Sequence, residues 1–243
     1  SPETEVFEKG RIVFNGHRAR PAAHKNQSLA VVEGYVDAIA VWQAGHKAVV
    51  ATLGTAFTEE QIKGLWRIDP EPVLCFDGDR AGRAAAFRAI DRMLPFLEVG
   101  RTFRFAFLPE GQDPDDLIKA GGVETFSAQL TAAQKFWDVL WHREVATVDV
   151  SDPDGIAALN AALRGLIAQI GDTQLRYRYE LTTRLSVNEL AYRETRRRFR
   201  QPGGDVSALS LIRTSRLVID KTSSLTGIER IFLGLSVAFP ELA

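Results

Sequence analysis

A chain of 243 residues and 26.9 kDa, 45% hydrophobic and 25% charged, has the make-up of a folded protein of one or two domains and excludes wholesale disorder. A net charge of −1 excludes a global electrostatic pull toward nucleic acid or membrane, so a polyanionic partner must meet a local patch. The single cysteine, Cys75, excludes an intrachain disulfide and a Cys-rich zinc site, and no apolar run approaches the ~20 residues of a membrane-spanning helix.

No signal-like segment is visible, which points to a cytosolic setting. The start at Ser1 rather than Met suggests a fragment or a processed chain. Residues 1–27 mix Pro, Gly and charge, and read as an irregular lead-in with one short strand over Arg11–Phe14. Regular alternation begins at Ser28. Leu29–Val32 is an apolar run of buried-strand type that ends in Glu33-Gly34. Tyr35–Gln43 has helical spacing and stops at Gly45. Ala48–Thr52 is a second strand, and Thr58 is the N-cap of a second helix. Pro72–Phe76 is a third strand that runs into Asp77-Gly78-Asp79. Arg80–Leu94 is an amphipathic helix stopped near Pro95, Arg101–Leu108 a fourth strand, and Asp113–Lys119 a short helix that ends at Gly121-Gly122.

Strand and helix therefore alternate through residue 122, the pattern of an α/β domain with a mostly parallel sheet and flanking helices. Beyond it the spacing is helical throughout: Thr125–Val145, Gly155–Ile170, Gln174–Leu185 and Val187–Phe199, with Asp172 and Ser186 as caps. This reads as an α-helical bundle or helical appendage, a subdomain over 123–200. Residues 201–224, with Pro202-Gly203-Gly204 and many Ser and Thr, read as a linker. Residues 225–243 carry Ile228, Ile231, Phe232, Leu235 and Phe239 at helical spacing, as the start of a further domain. Arg193, Arg196, Arg197, Arg198 and Arg200 form a basic cluster, either a solvated helix end or a phosphate patch.

The chemistry sits in acidic residues where strands end. Glu33 closes the first core strand and Asp77 and Asp79 the third; Asp113 and Asp115 follow the fourth with the same spacing of two. Asp37 lies one helical turn beyond Glu33. In an open parallel sheet the carboxyl ends of strands form the ligand crevice. Six carboxylates there would repel one another unless divalent cations neutralise them, and oxygen-only ligands suit Mg²⁺ or Mn²⁺ rather than zinc. Two such ions organise an in-line phosphoryl transfer. The plainer alternatives are that Asp-x-Asp is a turn or helix cap, that Asp113 before Pro114 caps the next helix, and that Asp37 is a solvated first-turn acid.

Glu-Gly after one apolar strand and Asp-Gly-Asp after another resemble the Toprim domain. Glu33-Gly34-Tyr35-Val36-Asp37, Ala51-Thr52-Leu53-Gly54-Thr55-Ala56, Leu74-Cys75-Phe76-Asp77-Gly78-Asp79-Arg80-Ala81-Gly82 and Leu108-Pro109-Glu110-Gly111-Gln112-Asp113-Pro114-Asp115 are similar to the bacterial replicative primases of the DnaG type. So is Ser1-Pro2-Glu3-Thr4 followed by Phe7-Glu8-Lys9-Gly10. The resemblance is strong over residues 1–122 and weaker through the helices to about residue 200.

This resemblance implies a Rossmann-like Toprim domain over 28–122, entered through a lead-in (1–27) from a preceding core subdomain. It implies synthesis of short RNA primers on single-stranded DNA from ribonucleoside triphosphates, with Mg²⁺ or Mn²⁺. Glu33 takes the acid/base or metal position, Asp77 and Asp79 the metal-binding pair, Asp113 and Asp115 a second pair at the metal, and Asp37 a further acid. Lys9 and Arg80 are placed for template or nucleotide phosphate. The zinc-binding domain of the family has no counterpart in this chain, so no zinc is expected here. A replicative helicase is the expected partner through a C-terminal domain, and no membrane is involved. The competing functions are another Toprim enzyme, above all a metal-dependent nuclease, and a non-catalytic nucleotide- or helicase-binding module. A topoisomerase would need a nucleophilic tyrosine, and Tyr35, Tyr177, Tyr179 and Tyr192 lie in no such context.

Overall fold

The computed structural model describes residues 10–25, 27–52 and 57–200. Lys9, the Leu53–Ala56 part of the second motif, the 201–224 linker and the apolar stripe of 225–243 lie outside the described residues. The chain divides into two compact units, Ser1–Val187 and Asn188–Ala243.

The first unit is built on a five-stranded sheet of order β2-β1-β3-β4-β5. Strands β1 (Ala30–Val32), β2 (Val49–Ala51), β3 (Val73–Phe76) and β4 (Arg104–Phe107) are parallel. Strands β1 to β3 are buried along their whole length, which is why they read as unbroken apolar runs rather than alternations. On one face Ala30, Val32, Val73, Cys75 and Ala106 join Ala38 and Val41 of α2 (Tyr35–Ala44) and Leu117, Phe126 and Leu130 of α5 (Pro114–Thr131) in a single core. On the other, Phe76 stacks on Phe105 at 6.1 Å, and Phe105 meets the edge of Phe136 in α6 (Phe136–Val145) at 5.8 Å. Burial pushes the Cys75 thiol up to about 12, so the one cysteine is an inert core residue.

Local sequence accounts for the helix ends. Thr58 caps α3 (Glu59–Trp66) in a reciprocal box: the Gln61 N–H donates to Thr58 Oγ1 and the Thr58 N–H to Gln61 Oε1, both at 3.2 Å. Gly45 ends α2 in the left-handed region at φ 118°, where a side chain would be strained. Helix α4 (Arg80–Met93) passes into a short 3-10 turn at Leu94–Phe96. The expected stop at Gly121-Gly122 is a kink: Gly122 has φ 75°, and a second helical stretch continues to Thr131.

Four expectations are corrected. Arg11–Phe14 is no strand; Phe14 makes a lone antiparallel bridge to Ala51, and an unforeseen helix α1 (Gly16–Ala23) follows. Asn15 starts it with φ 66°, tolerable for asparagine, and its Nδ2 donates to Val49 O at 2.9 Å. The helix read over Thr125–Val145 is broken by β5 (Gln134–Lys135), an antiparallel edge strand on β4, where Arg104 donates to Ala133 O at 2.6 Å. Gln174–Leu185 and Val187–Phe199 are not separate; one helix, α8, runs Thr173–Arg200. Ser186 caps nothing there, whereas Asp172 does cap α8, accepting from the Gln174 and Leu175 N–H groups at 2.9 and 3.0 Å. Before it, α7 spans Pro153–Ile167. None of the described helices is long and apolar enough to cross a membrane.

His46, just before β2, is 5% exposed; its Nε2 donates to Ser28 O at 3.0 Å and its ring meets the edge of Phe126 at 5.7 Å. Burial lowers its pKa below the ordinary 6.5. As pH falls through that ordinary value the unfolded chain takes up a proton that the folded chain resists, so folding stability is lost on the acid side. Denaturant unfolding at pH 7.5 and 5.5 should show this loss, and His46→Asn should reduce it. An equal loss in the variant would place the acid sensitivity elsewhere.

Candidate active site

The chain order and the spatial order of the strands place the acids. From β1 the chain crosses to β2 on one side and then returns to β3 on the other, so the strand order switches sides between the parallel neighbours β1 and β3. The carboxyl ends at such a switch leave an open crevice. Glu33 follows β1 directly, Asp77 and Asp79 follow β3, and Asp113 and Asp115 follow the neighbouring β4. Asp37 enters from the first turn of α2.

Two glycines make the crevice compact. A Cβ on Gly78 would lie 2.0 Å from Leu108 O and 2.6 Å from Pro109 O, so the loop after β3 is pressed against the loop after β4. A Cβ on Gly82 would lie 2.2 Å from Asp77 O, which seats the first turn of α4 on the same loop. The Asp-Gly-Asp-Arg-Ala-Gly string therefore has a packing cause: only glycine lets these backbones approach.

Both proposed metal-binding pairs also start helices. Asp79 is the N-cap of α4, its Oδ1 accepting from the Gly82 N–H at 2.7 Å. Asp113 is the N-cap of α5, its Oδ1 accepting from the Asp116 N–H at 2.7 Å, with Pro114 in the first helical position. Asp115 pairs with Lys119 one turn on, at 2.5 Å. Asp37 folds back on Gly34, whose backbone N–H it accepts, in the manner of an N3 acid. Residues 77–79 lie past the end of β3, so the turn into α4, rather than strand alternation, brings Asp77 and Asp79 together.

Three of the acids have their pKa values raised, in each case first by burial and then by neighbouring carboxylates. Glu33 is raised above the ordinary glutamate range, first by loss of hydration, then by the charges of Asp77, Asp37 and Asp79. Asp37 is raised by desolvation and by Asp113, Asp77 and Asp115, and Asp77 by desolvation and by Asp79 and Asp113. Glu33, Asp37 and Asp77 thus each feel some of the other acids, and Asp37 and Asp77 link the acids after β1 and β3 to those after β4. The cation that lowers Glu33 is Arg88 in α4. Sequence reasoning did not single it out, because α4 holds four arginines (Arg80, Arg83, Arg88 and Arg92) and none stands apart by spacing. Arg80 is exposed at the first position of α4 and has no ion pair among the described residues.

A raised carboxylate pKa marks charge held against its own repulsion, and a bound hard cation relieves it. The donor set, carboxylates without His or Cys, fits Mg²⁺ or Mn²⁺. Among the described residues no three ligating groups converge into a ready-made cage, and Asp79, Asp113 and Asp115 direct oxygens to helix N–H groups or to Lys119.

A Toprim-like family model matches residues 30–118, the stretch from β1 into α5. The DNA primase of Escherichia coli K12 is 41% identical over 189 residues, 77% of this chain and 32% of that protein. A primase domain from Pseudomonas aeruginosa superposes with TM-score 0.71 at 41% identity, over 79% of this chain and 59% of that chain. A DnaG primase catalytic domain bound to single-stranded DNA superposes with TM-score 0.68 at 38% identity, over 78% and 60%. The chain spans about a third of the length of the curated relatives it matches. Residues 30–118 are therefore a Toprim-like domain, and the chain is a homologue of the DnaG primase catalytic core.

Proposed function

We propose that this chain forms the nucleotidyl-transfer centre of a bacterial primase, which joins ribonucleoside triphosphates into a short RNA primer on single-stranded DNA. The observation that carries the reading is the placement of Glu33, Asp37, Asp77, Asp79, Asp113 and Asp115 after β1, β3 and β4 at the switch in strand order, where Glu33, Asp37 and Asp77 are raised by burial and by neighbouring acids. The primase relatives support it, and the DnaG domain bound to single-stranded DNA supports the template.

In this reading Glu33, Asp77, Asp79, Asp113 and Asp115 hold Mg²⁺ or Mn²⁺. The ions supply charge neutralisation at the triphosphate and at the attacking oxygen. Glu33, with its raised pKa, holds or accepts the proton of the attacking 3′-hydroxyl at its carboxylate. Asp37 braces the Gly34 backbone and adds negative charge beside Asp77 and Asp113. Arg80 and Lys9 receive phosphate groups of template or nucleotide. A replicative helicase is the partner of a separate C-terminal domain, and the work is cytoplasmic, at the replication fork.

The test is incubation of the complete enzyme with single-stranded DNA, ribonucleoside triphosphates and Mg²⁺ or Mn²⁺. Short RNA products are expected. Cleavage of the DNA without ribonucleotide incorporation would turn the same acids into a nuclease centre. Neither product would favour a binding module.

A further inference from the structure

A cleft of about 530 Å³ opens at the amino end of the sheet, lined by Arg18, Pro21, Lys25, Gln27, Trp42 and Lys47. It lies between α1, α2 and the loops that enter β1 and β2. Three cations and no carboxylate line it, in a chain whose net charge is −1. None of the three forms an ion pair among the described residues. Lys47 Nζ stands 3.7 Å from the centroid of the Trp42 ring and the Arg18 guanidinium 5.9 Å. The cationic end is built in: the backbone N–H groups of Lys47 and Ala48 both donate to Gln27 Oε1 at 3.1 Å.

A second cleft of about 190 Å³ shares Arg18 and Trp42 and continues along α2 past Ile39 to Phe14. Phe14 meets Tyr35 edge-on at 6.2 Å. Tyr35, Ile39 and Trp42 are four and three residues apart, so they share one face of α2. Tyr35 is 55% and Ile39 40% exposed. This stripe starts two residues from Glu33 and reaches the three cations about 10 Å further along the helix.

We propose that the α1–α2 groove binds single-stranded nucleic acid, with bases laid on Tyr35 and Ile39 and against the rim of Trp42, whose ring and carbonyl hold Lys47 in place, and phosphates met by Arg18, Lys25 and Lys47. Aromatic faces in line with cations are the means by which unpaired strands are held without sequence choice. Gln27, the one amide in the cleft, has its Oε1 engaged by backbone, which leaves only its Nε2 group to meet a base edge. A duplex would hide its bases from the rings, and an acidic peptide would use the cations without the aromatic stripe. The proposal deepens the primase reading by adding a strand path that leads away from the acids, but it concerns binding alone.

The test is fluorescence anisotropy of labelled dT12 with the full chain, without metal or ribonucleotides, over a range of salt. Loss of primer synthesis therefore leaves the result untouched. Trp42→Ala should weaken binding about tenfold with the salt slope unchanged. Arg18→Gln and Lys25→Gln should each lower the slope of log K against log salt by about 0.7. Both are exposed substitutions and keep the test decisive if Trp42→Ala melts early. Absence of binding up to roughly 100 μM, or affinity unchanged in all three variants and lost in Arg196→Gln/Arg197→Gln, would overturn the proposal. So would poly-glutamate or duplex DNA that competes as well as dT12.

Discussion

Glu33→Gln should cut primer synthesis by the complete enzyme by about 10²- to 10⁴-fold, the range for loss of a positioned acid–base group. The amide keeps the size of the carboxylate but neither takes up a proton nor carries charge. The loss should fall on kcat rather than on substrate binding. Stability should move the other way. Glu33 is raised chiefly by desolvation and by Asp77, Asp37 and Asp79, so above its ordinary pKa the folded state carries a charge it disfavours. That penalty is absent at low pH and sets in as pH rises from the ordinary value through the raised one. Removing the charge lifts the penalty, and the melting temperature at pH 7 should hold or rise. Near-normal primer yield, or a variant that fails to fold, would contradict the role given to Glu33.

Gly78→Ala should be the most damaging small substitution in the domain. Its Cβ would lie 2.0 Å from Leu108 O and 2.6 Å from two atoms of Pro109, all backbone, so no side chain can swing aside. The loops after β3 and β4 must part, at a cost of about 3 kcal/mol or more. The same movement separates Asp77 and Asp79 from Asp113, and activity should vanish in any fraction that still folds. Gly64→Ala in α3 is the control. Nothing lies within 4 Å of its Cβ, and alanine in a helix should add about 0.5–1 kcal/mol. Urea unfolding of both variants measures the contrast. Equal stability would mean that the loops are not pressed together.

The parallel sheet was legible because β1, β2 and β3 are unbroken apolar runs, each closed by a polar residue: Glu33, Thr52 and Asp77. The acids were legible because a strand end is where such residues have a chemical reason to gather. Their capping roles were open: Asp79 and Asp113 are each a suitable N-cap and a suitable ligand, and the structure shows the caps being made through Oδ1. β5 gave no signal, since Gln134 and Lys135 are both exposed and pair only at an edge. α1 was hidden by Gly16 at its start and Pro21 within it, both poor helix residues. α8 looked like two helices because Ser186, near its middle, suggested a cap. The helix runs through it, and one turn earlier Thr182 Oγ1 and Thr183 Oγ1 donate to the carbonyls of Arg178 and Tyr179, four residues back. The basic cluster on α8 follows its plainer reading in part, with Arg193 on Glu189 at 2.7 Å and Arg197 on Glu194 at 3.4 Å. The contribution of Arg88 needs the fold, because only the packing of α4 brings it toward Glu33.

The central claim, that the acids after β1, β3 and β4 form a divalent-cation site, is tested most directly by titration of the chain with Mn²⁺ followed by electron paramagnetic resonance. The free-ion signal should fall as Mn²⁺ binds, and thermal stability should rise with it, because the ion relieves repulsion in the folded state alone. Asp77→Asn should bind more weakly, and its melting temperature without metal should be at or above that of the parent. Glu110→Gln, an exposed acid in the loop before α5, should bind like the parent. Mn²⁺ uptake equal in the parent and Asp77→Asn, or no uptake by the parent, would contradict the account.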